Sequence, residues 1–218
     1  MRSLTKLISI LFSFSVFANP YPSTWWQEVS RDGAPGWEIL PQDAGKGEVI
    51  LSKRTELGIF SNLSASVFTL DGEIYGSVEG LWQMMKYPDP SDPTDPRHQF
   101  QYPFTRDEVK LMSMWDSKNA GNLANKVNHD NNINWISYGN HRFNYVDGGA
   151  GSDFHYQLIR RAFIAKANQN PDIKKLLMKT KGLKLKPDHH MRADSPASFK
   201  YHELWMDLRD NYFSVVEE

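Results

Sequence analysis

The segment "YPDPSDPTDPRHQFQYP" (residues 87–103) constrains this chain most, with prolines at 88, 90, 93, 96 and 103. Each proline fixes φ and removes a backbone donor, so the stretch is neither helix interior nor central strand. It is expected as a surface insertion between two differently patterned parts of one chain. Asp89, Asp92 and Asp95 recur every three residues within it. They lack the ligand alternation of a calcium loop and are expected in solvent.

Upstream, "EVILSK" (48–53) reads as a short strand, and "VFTLDGEIY" (67–75) places β-favouring runs either side of Asp71-Gly72. That dipeptide is a strong signal for a two-residue hairpin turn. A helix is expected from Ser77, which suits an N-cap, to about Lys86. Downstream, Thr105 to Glu108 forms a capping box, expected to open a helix carrying Leu111, Met114 and Trp115. "INWISY" and "RFNYV" are candidate strands. "DFHYQLIRRAFIAKANQ" has helical apolar spacing and stops at Asn170-Pro171, "DIKKLLMKT" resumes as helix, and a last helix covers "SFKYHELWMDLRDNYF". The expected fold class is α+β, a single mostly helical domain with a small β-hairpin or sheet.

Three divisions are expected. Residues 1–18 read as a signal peptide, with Arg2 and Lys6 before the apolar run Leu7 to Phe17, and with Val16 and Ala18 as the small residues of a cleavage site. That predicts a secreted or periplasmic protein starting near Asn19, with no membrane segment after cleavage. Residues 19–47, rich in Pro, Gly and Trp, read as an irregular arm whose tryptophans pack on the domain at 48–218. Without Arg2 and Lys6 the formal charge moves from −1 to −3, which argues against a duplex nucleic-acid partner. With no cysteine, thiolate catalysis and cysteine-ligated metals are excluded. The Asp188-His189-His190 run, with His155 or His202, is weighed as a metal site and set aside, because adjacent histidines do not readily chelate from one short loop. "GGAGSDFHY" is a single copy of a calcium-binding repeat that needs several, and reads as a turn before a helix. No metal and no cofactor are expected.

On a helix of about 100° per residue, Gln83 falls about 40° from Glu79 and Lys86 about 20°. The three form a narrow polar stripe bordered by Trp82. Two readings stay open. The stripe is a solvated face, with Glu79 favoured by the helix N-terminus. Alternatively Glu79 stands against an apolar wall to support a developing cation, beside groups suited to a nucleotide-like ligand.

"FSNLSASVFTLDGEIYGSVEGLWQMMKY" (60–87) resembles the opening motif of the NADAR, or YbiA-like, N-glycosidase family. Phe60, Ser61, Asn62, Asp71, Gly72, Glu79, Gln83 and Lys86 fit that motif without a gap. Arg160, Ala162, Ala165, Lys166 and Leu177 resemble its second block, and "LWMDLRD" (204–210) its last helix. The chain departs from the family pattern at Gly80, Gly151, Met191 and Phe199. The resemblance implies hydrolysis of a ribose N-glycosidic bond in an ADP-ribose conjugate or riboside, through an oxocarbenium-like state. It implies Glu79 as the catalytic carboxylate and Asp188 as a second. Asn62 and Lys86 would hold ribose or phosphate oxygens, Gln83 would line the site, and Trp82 would stack on a base. Asn62 also opens an N-x-S sequon, but a modified Asn62 would block such a pocket. The competing expectation is a secreted, non-catalytic nucleotide- or ADP-ribose-binding module that has kept the pocket and lost turnover.

Overall fold

The Asp71-Gly72 turn folds as its composition requires. In the computed structural model, which describes residues 20–214, Asp71 and Gly72 take φ of 53° and 83°. They join β2 (Phe68–Leu70) to β3 (Glu73–Tyr75) with Phe68 opposite Tyr75. The expected leader lies outside the described residues. The fold is α+β and mostly helical, and its strands form three two-stranded pairs. β1 (Glu48–Ile50) runs parallel to β6 (Lys184–Lys186), and β4 (Ile136–Tyr138) pairs antiparallel with β5 (His141–Phe143). β6 has no counterpart in the sequence reading, because three residues of alternating Lys and Leu are too short a signal.

α1 (Val78–Met84) starts where expected, with the Ser77 hydroxyl accepting from the Gly80 amide at 2.8 Å. The capping box at Thr105 forms, but it opens only the short α2 (Arg106–Lys110). The expected single helix through Trp115 is thus two helices, the second being α3 (Met114–Asp130). The start of α1 causes the break. The Gly76 amide takes the Lys110 carbonyl at 2.9 Å, and the Ser77 hydroxyl takes that of Met112 at 2.9 Å. The carbonyls left over where α2 ends are thus satisfied by the start of α1 rather than by a continuing helix. Met114 then enters α3 at φ 53°, its amide donating to the Leu63 carbonyl. Leu111, Met114 and Trp115 are consequently exposed rather than core.

The proline-rich segment is not a free surface insertion. Asp89, Asp95 and Arg97 are buried. Arg97 binds Asp95 at 2.7 Å and the Met85 carbonyl at 2.9 Å, and its guanidinium lies 4.3 Å from the centre of the Trp135 ring. Arg106 adds the Ser137 and Tyr87 carbonyls, with Asp89 at 3.4 Å. The segment therefore pins the end of α1 to β4. Of its three regularly spaced aspartates, Asp92 alone is half-exposed, and it is paired with Arg142. Buried charges are tolerated here because each is paired and hydrogen-bonded.

α4 (Ala150–Gln169) and α5 (Pro171–Lys179) meet at Asn170-Pro171. The last helix is regular only over α6 (Tyr201–Asp207) and widens to a π-helix at Leu208–Phe213. Phe163 of α4 stacks on Trp205 of α6 at 4.6 Å, and the Trp205 indole donates to the Phe60 carbonyl at 2.8 Å. In the arm, Trp25 is buried with its indole on Glu56, and Trp26 donates to the Glu48 carbonyl.

Lys166 of α4 is fully buried with no carboxylate beside it. It donates to the Ile59 carbonyl at 2.7 Å, the Ser61 carbonyl at 3.1 Å and the Ser64 hydroxyl at 2.6 Å, gathering residues 59–64 into a fixed loop. Burial lowers its pKa from 10.5 to about 7. Between those values the unfolded chain holds a proton that the folded chain has released, so this residue makes stability rise with pH across the window. In urea unfolding, the stability of wild type relative to Lys166→Met should therefore climb by up to about 1.4 kcal/mol per pH unit within that window. A difference that stays flat with pH would show that Lys166 keeps its proton throughout.

Candidate active site

Every residue of α1 is buried, including the polar stripe. Glu79 is 6 % exposed, Gln83 3 % and Lys86 5 %. The solvated-face reading of the stripe therefore fails. The three side chains instead line a cavity of about 670 Å³. The fixed loop contributes Ser61, Asn62 and Leu63 to the same wall, and the Asn62 carbonyl accepts from the Glu79 amide at 2.9 Å. This one backbone bond ties the start of α1 to the loop held by Lys166.

Glu79 Oε1 accepts from Gln83 Nε2 at 2.7 Å, and the half-exposed Lys118 ammonium lies 3.8 Å from the same oxygen. With its amide nitrogen committed to Glu79, Gln83 turns Oε1 towards α3, where that oxygen is buried without a partner. Asn62 Oδ1 is likewise buried and unpartnered. Burial pushes the Lys86 ammonium down to about 8, with the Lys118 charge adding to that and Glu79 opposing it. Among the described residues lining the cavity, Glu79 is the sole carboxylate, against the cations Lys53, Lys86, Lys118 and Arg192. Lys53 is paired with Asp188 and Arg192 with Asp194, so the attraction for an anionic ligand comes from Lys86 and Lys118.

Trp82 borders the stripe as the sequence suggests, but only 7 % of it is exposed. His155, Phe199 and Tyr145 meet it edge-on at 4.6, 4.7 and 6.1 Å. It is a fixed wall with little face left for stacking. The accessible rings are Trp37 from the arm and Trp115 from α3, 44 % and 49 % exposed and 6.3 Å apart. Sequence reasoning missed both as site residues, taking Trp37 for packing and placing Trp115 only on the helix opened at Thr105.

Asp188 does not line the cavity. It is buried behind the wall, where it accepts from Lys53 Nζ, from the Tyr201 hydroxyl at 3.1 Å and from His189 Nδ1 at 3.0 Å. Burial alone would raise its carboxyl, but the His189 hydrogen bond and the Lys53 charge outweigh that and hold its pKa below the usual range. Lys53, His189 and Tyr201, its three partners, do face the cavity. His155 is committed elsewhere, bonded to Ser198 at 2.9 Å and driven to about 3 by burial and the Lys86 charge, so it stays neutral. Among the described residues no three His, Asp or Glu side chains gather as metal ligands.

Two glycines make the stripe fit. A Cβ on Gly80 would lie 2.6 Å from the Met112 carbonyl oxygen, so α1 meets the α2–α3 junction backbone to backbone. A Cβ on Gly121 of α3 would lie 1.7 Å from Gln83 Oε1. An isolated glycine in a helical pattern, with Lys118 and Asn125 on the same face, is the signal that could have brought α3 into the site.

The fold and site define an α+β protein whose cationic cavity closes over one buried carboxylate. No protein-family model matches the chain, and comparison with curated protein sequences finds no match. Among solved structures the chain is similar to the NMR structure of the E. coli protein YbiA. The identity is 18 % and the TM-score 0.48, over 76 % of this chain and 83 % of that one.

Gly121→Ala tests the packing at the stripe. Helix propensity alone would gain about 1 kcal/mol, but the new methyl must displace Gln83 and break its bond to Glu79, at a cost of about 1–3 kcal/mol. A lower melting temperature is expected, together with loss of any Glu79-dependent activity. Asn122→Ala, on the exposed side of the same helix, should gain stability and keep that activity.

Proposed function

We propose that this protein hydrolyses a ribose N-glycosidic bond in a nucleotide-like substrate, with Glu79 as the carboxylate facing the anomeric carbon. The observation that carries this reading is the placement of Glu79: the one acid among the described residues lining a cavity of about 670 Å³, room for a nucleotide, and buried close to Lys118. As the carbon–nitrogen bond lengthens, positive charge grows on C1′ and the adjacent ring oxygen. A fixed carboxylate stabilises that charge more strongly in a dry site than in water. Water then adds to C1′ and Glu79 accepts its proton, leaving ribose with a free hydroxyl.

The other groups find roles consistent with their chemistry. The unpartnered Asn62 Oδ1 suits a ribose hydroxyl, which would relieve a buried acceptor whose isolation costs about 1–3 kcal/mol. Lys86 and Lys118 suit phosphate oxygens. Trp37 and Trp115 offer the base the stacking surface that Trp82 lacks. The substrate class is an ADP-ribose conjugate or riboside, as the motif at 60–87 implies, and the leader-like start makes an exported enzyme part of the proposal.

Glu79→Gln keeps the hydrogen bonding and volume and removes the charge. It should cut base release from ADP-ribosylated guanosine or an aminouracil riboside by at least about 100-fold with a melting temperature close to wild type. Glu79→Ala should lose release as fully but melt lower, because it leaves the buried Gln83 amide unpaired. Retained release in either variant would sink the proposal. One feature favours the alternative, an exported nucleotide-binding module without turnover: an oxygen of Glu79 is already occupied by Gln83. That reading predicts no base release by wild type, with nucleotide still raising its melting temperature.

Trp115→Ala should raise KM about five- to tenfold, the equivalent of one stacked ring, with kcat little changed. An unaltered KM would remove the mouth tryptophans from substrate binding.

A further inference from the structure

A neutral nucleobase leaving C1′ takes the bonding pair with it and is a poor leaving group unless a proton arrives at its nitrogen as the bond breaks. Glu79, ionised to face the cation, cannot supply that proton. We propose that His189, oriented by Asp188, is the general acid that protonates the departing base; this rests on the glycosidase reading.

Four observations converge on His189. Its Nδ1 lies 3.0 Å from Asp188 Oδ1. A carboxylate only accepts, so Nδ1 carries the proton of that bond and Nε2 is left for the cavity that His189 lines. A carboxylate behind an imidazole fixes its tautomer and orientation. The ring is held flat against Tyr201, with centroids 6.0 Å apart and planes 10° from parallel. The backbone is pinned as well: the Ile39 amide donates to the Asp188 carbonyl at 2.9 Å, and the His190 amide to the Trp37 carbonyl at 3.3 Å. The arm thus fixes the segment from which His189 reaches the cavity.

Other donors in the lining serve less well. His190 also reaches the cavity, but no described side chain fixes its ring as Asp188 fixes that of His189. Arg192 does not release a proton at any working pH. Lys53 and the Tyr201 hydroxyl are both committed to Asp188. Lys86 shares the α1 stripe with Glu79 and so approaches from the same wall as the carboxylate, whereas His189 arrives from a separate segment. Asp188 then acts through His189 as a positioning residue rather than as a second catalytic carboxylate. The balance closes. The C1′–N pair moves to the base nitrogen, and the imidazolium form of His189 gives up its Nε2 proton as the new N–H. His189 is left neutral with Nδ1–H still on Asp188, water supplies the hydroxyl at C1′, and Glu79 takes the water's proton. Exchange with solvent resets both groups.

The test varies the leaving group. ADP-ribosylated guanosine releases a neutral base that needs the proton, while NAD releases nicotinamide from an already cationic nitrogen and needs none. Base release from both is followed for wild type, His189→Gln and Asp188→Asn, with melting temperatures recorded. His189→Gln should lose at least about 100-fold on the guanosine conjugate and about threefold or less on NAD, and Asp188→Asn should show a smaller loss with the same bias. Equal losses on both substrates, or no loss on the guanosine conjugate, would overturn the role of His189 and leave Glu79's role standing. Wild type that releases base from neither overturns the glycosidase reading and this inference together.

Discussion

The structure depends on burying a carboxylate, an amide and an ammonium on one side of a short helix. Each would cost several kcal/mol in a purely apolar surround. They persist because Gln83 bonds Glu79, because Lys118 stands near by, and because the cavity keeps the region polar. The close packing follows from this. α1 has to sit tightly against its neighbours to hold the stripe in place, and that tightness is visible where Gly80 meets the Met112 carbonyl and where the Gln83 side chain meets Gly121. The carbonyls that α1 captures at Lys110 and Met112 end α2, which turns α3 to bring Lys118 and Trp115 to the cavity. A local capping event thereby sets the composition of the far wall.

What was legible in the sequence was whatever short-range chemistry dictates. The Asp71-Gly72 turn, the Ser77 and Thr105 caps and the Asn170-Pro171 break depend on residues within a turn of one another. The polar stripe was legible as a stripe, since periodicity fixes which residues share a face. Its surroundings were not, because a buried polar face and a solvated one have the same period. The aspartates of the proline-rich segment, expected in solvent, were misjudged for a related reason. Composition shows prolines and charges, but not that Arg97 would turn inward onto Asp95 and the Met85 carbonyl.

The same limit shaped the view of the site. Asn62, Glu79, Trp82, Gln83 and Lys86 cluster near one another in the chain, and all five fall on the cavity lining. Lys53, Trp37, Trp115 and His189 reach it only through tertiary contacts, and no local pattern marks them. Trp37 meets Trp115 because the arm folds back along residues 188–190, through the Glu38–His189 bridge and the bonds beside it. An arm that reads as irregular from composition thus helps to build the mouth of the cavity.

Asp188, expected from the motif as a second site carboxylate, lies behind the cavity wall rather than on it. A second carboxylate opposite Glu79 would have made a two-acid site, in which one group protonates the leaving atom and the other serves as nucleophile or base. Here that carboxylate is withdrawn behind the wall and spends its acceptors on Lys53, Tyr201 and His189. Two unpaired carboxylates in one cavity would repel each other and an anionic substrate alike. With Asp188 and Lys53 paired to each other, Lys86 and Lys118 remain as the cations of the lining beside Glu79, its one carboxylate among the described residues. A cation forming at C1′ would then be drawn to one place in the cavity, while phosphates would be drawn to the rest.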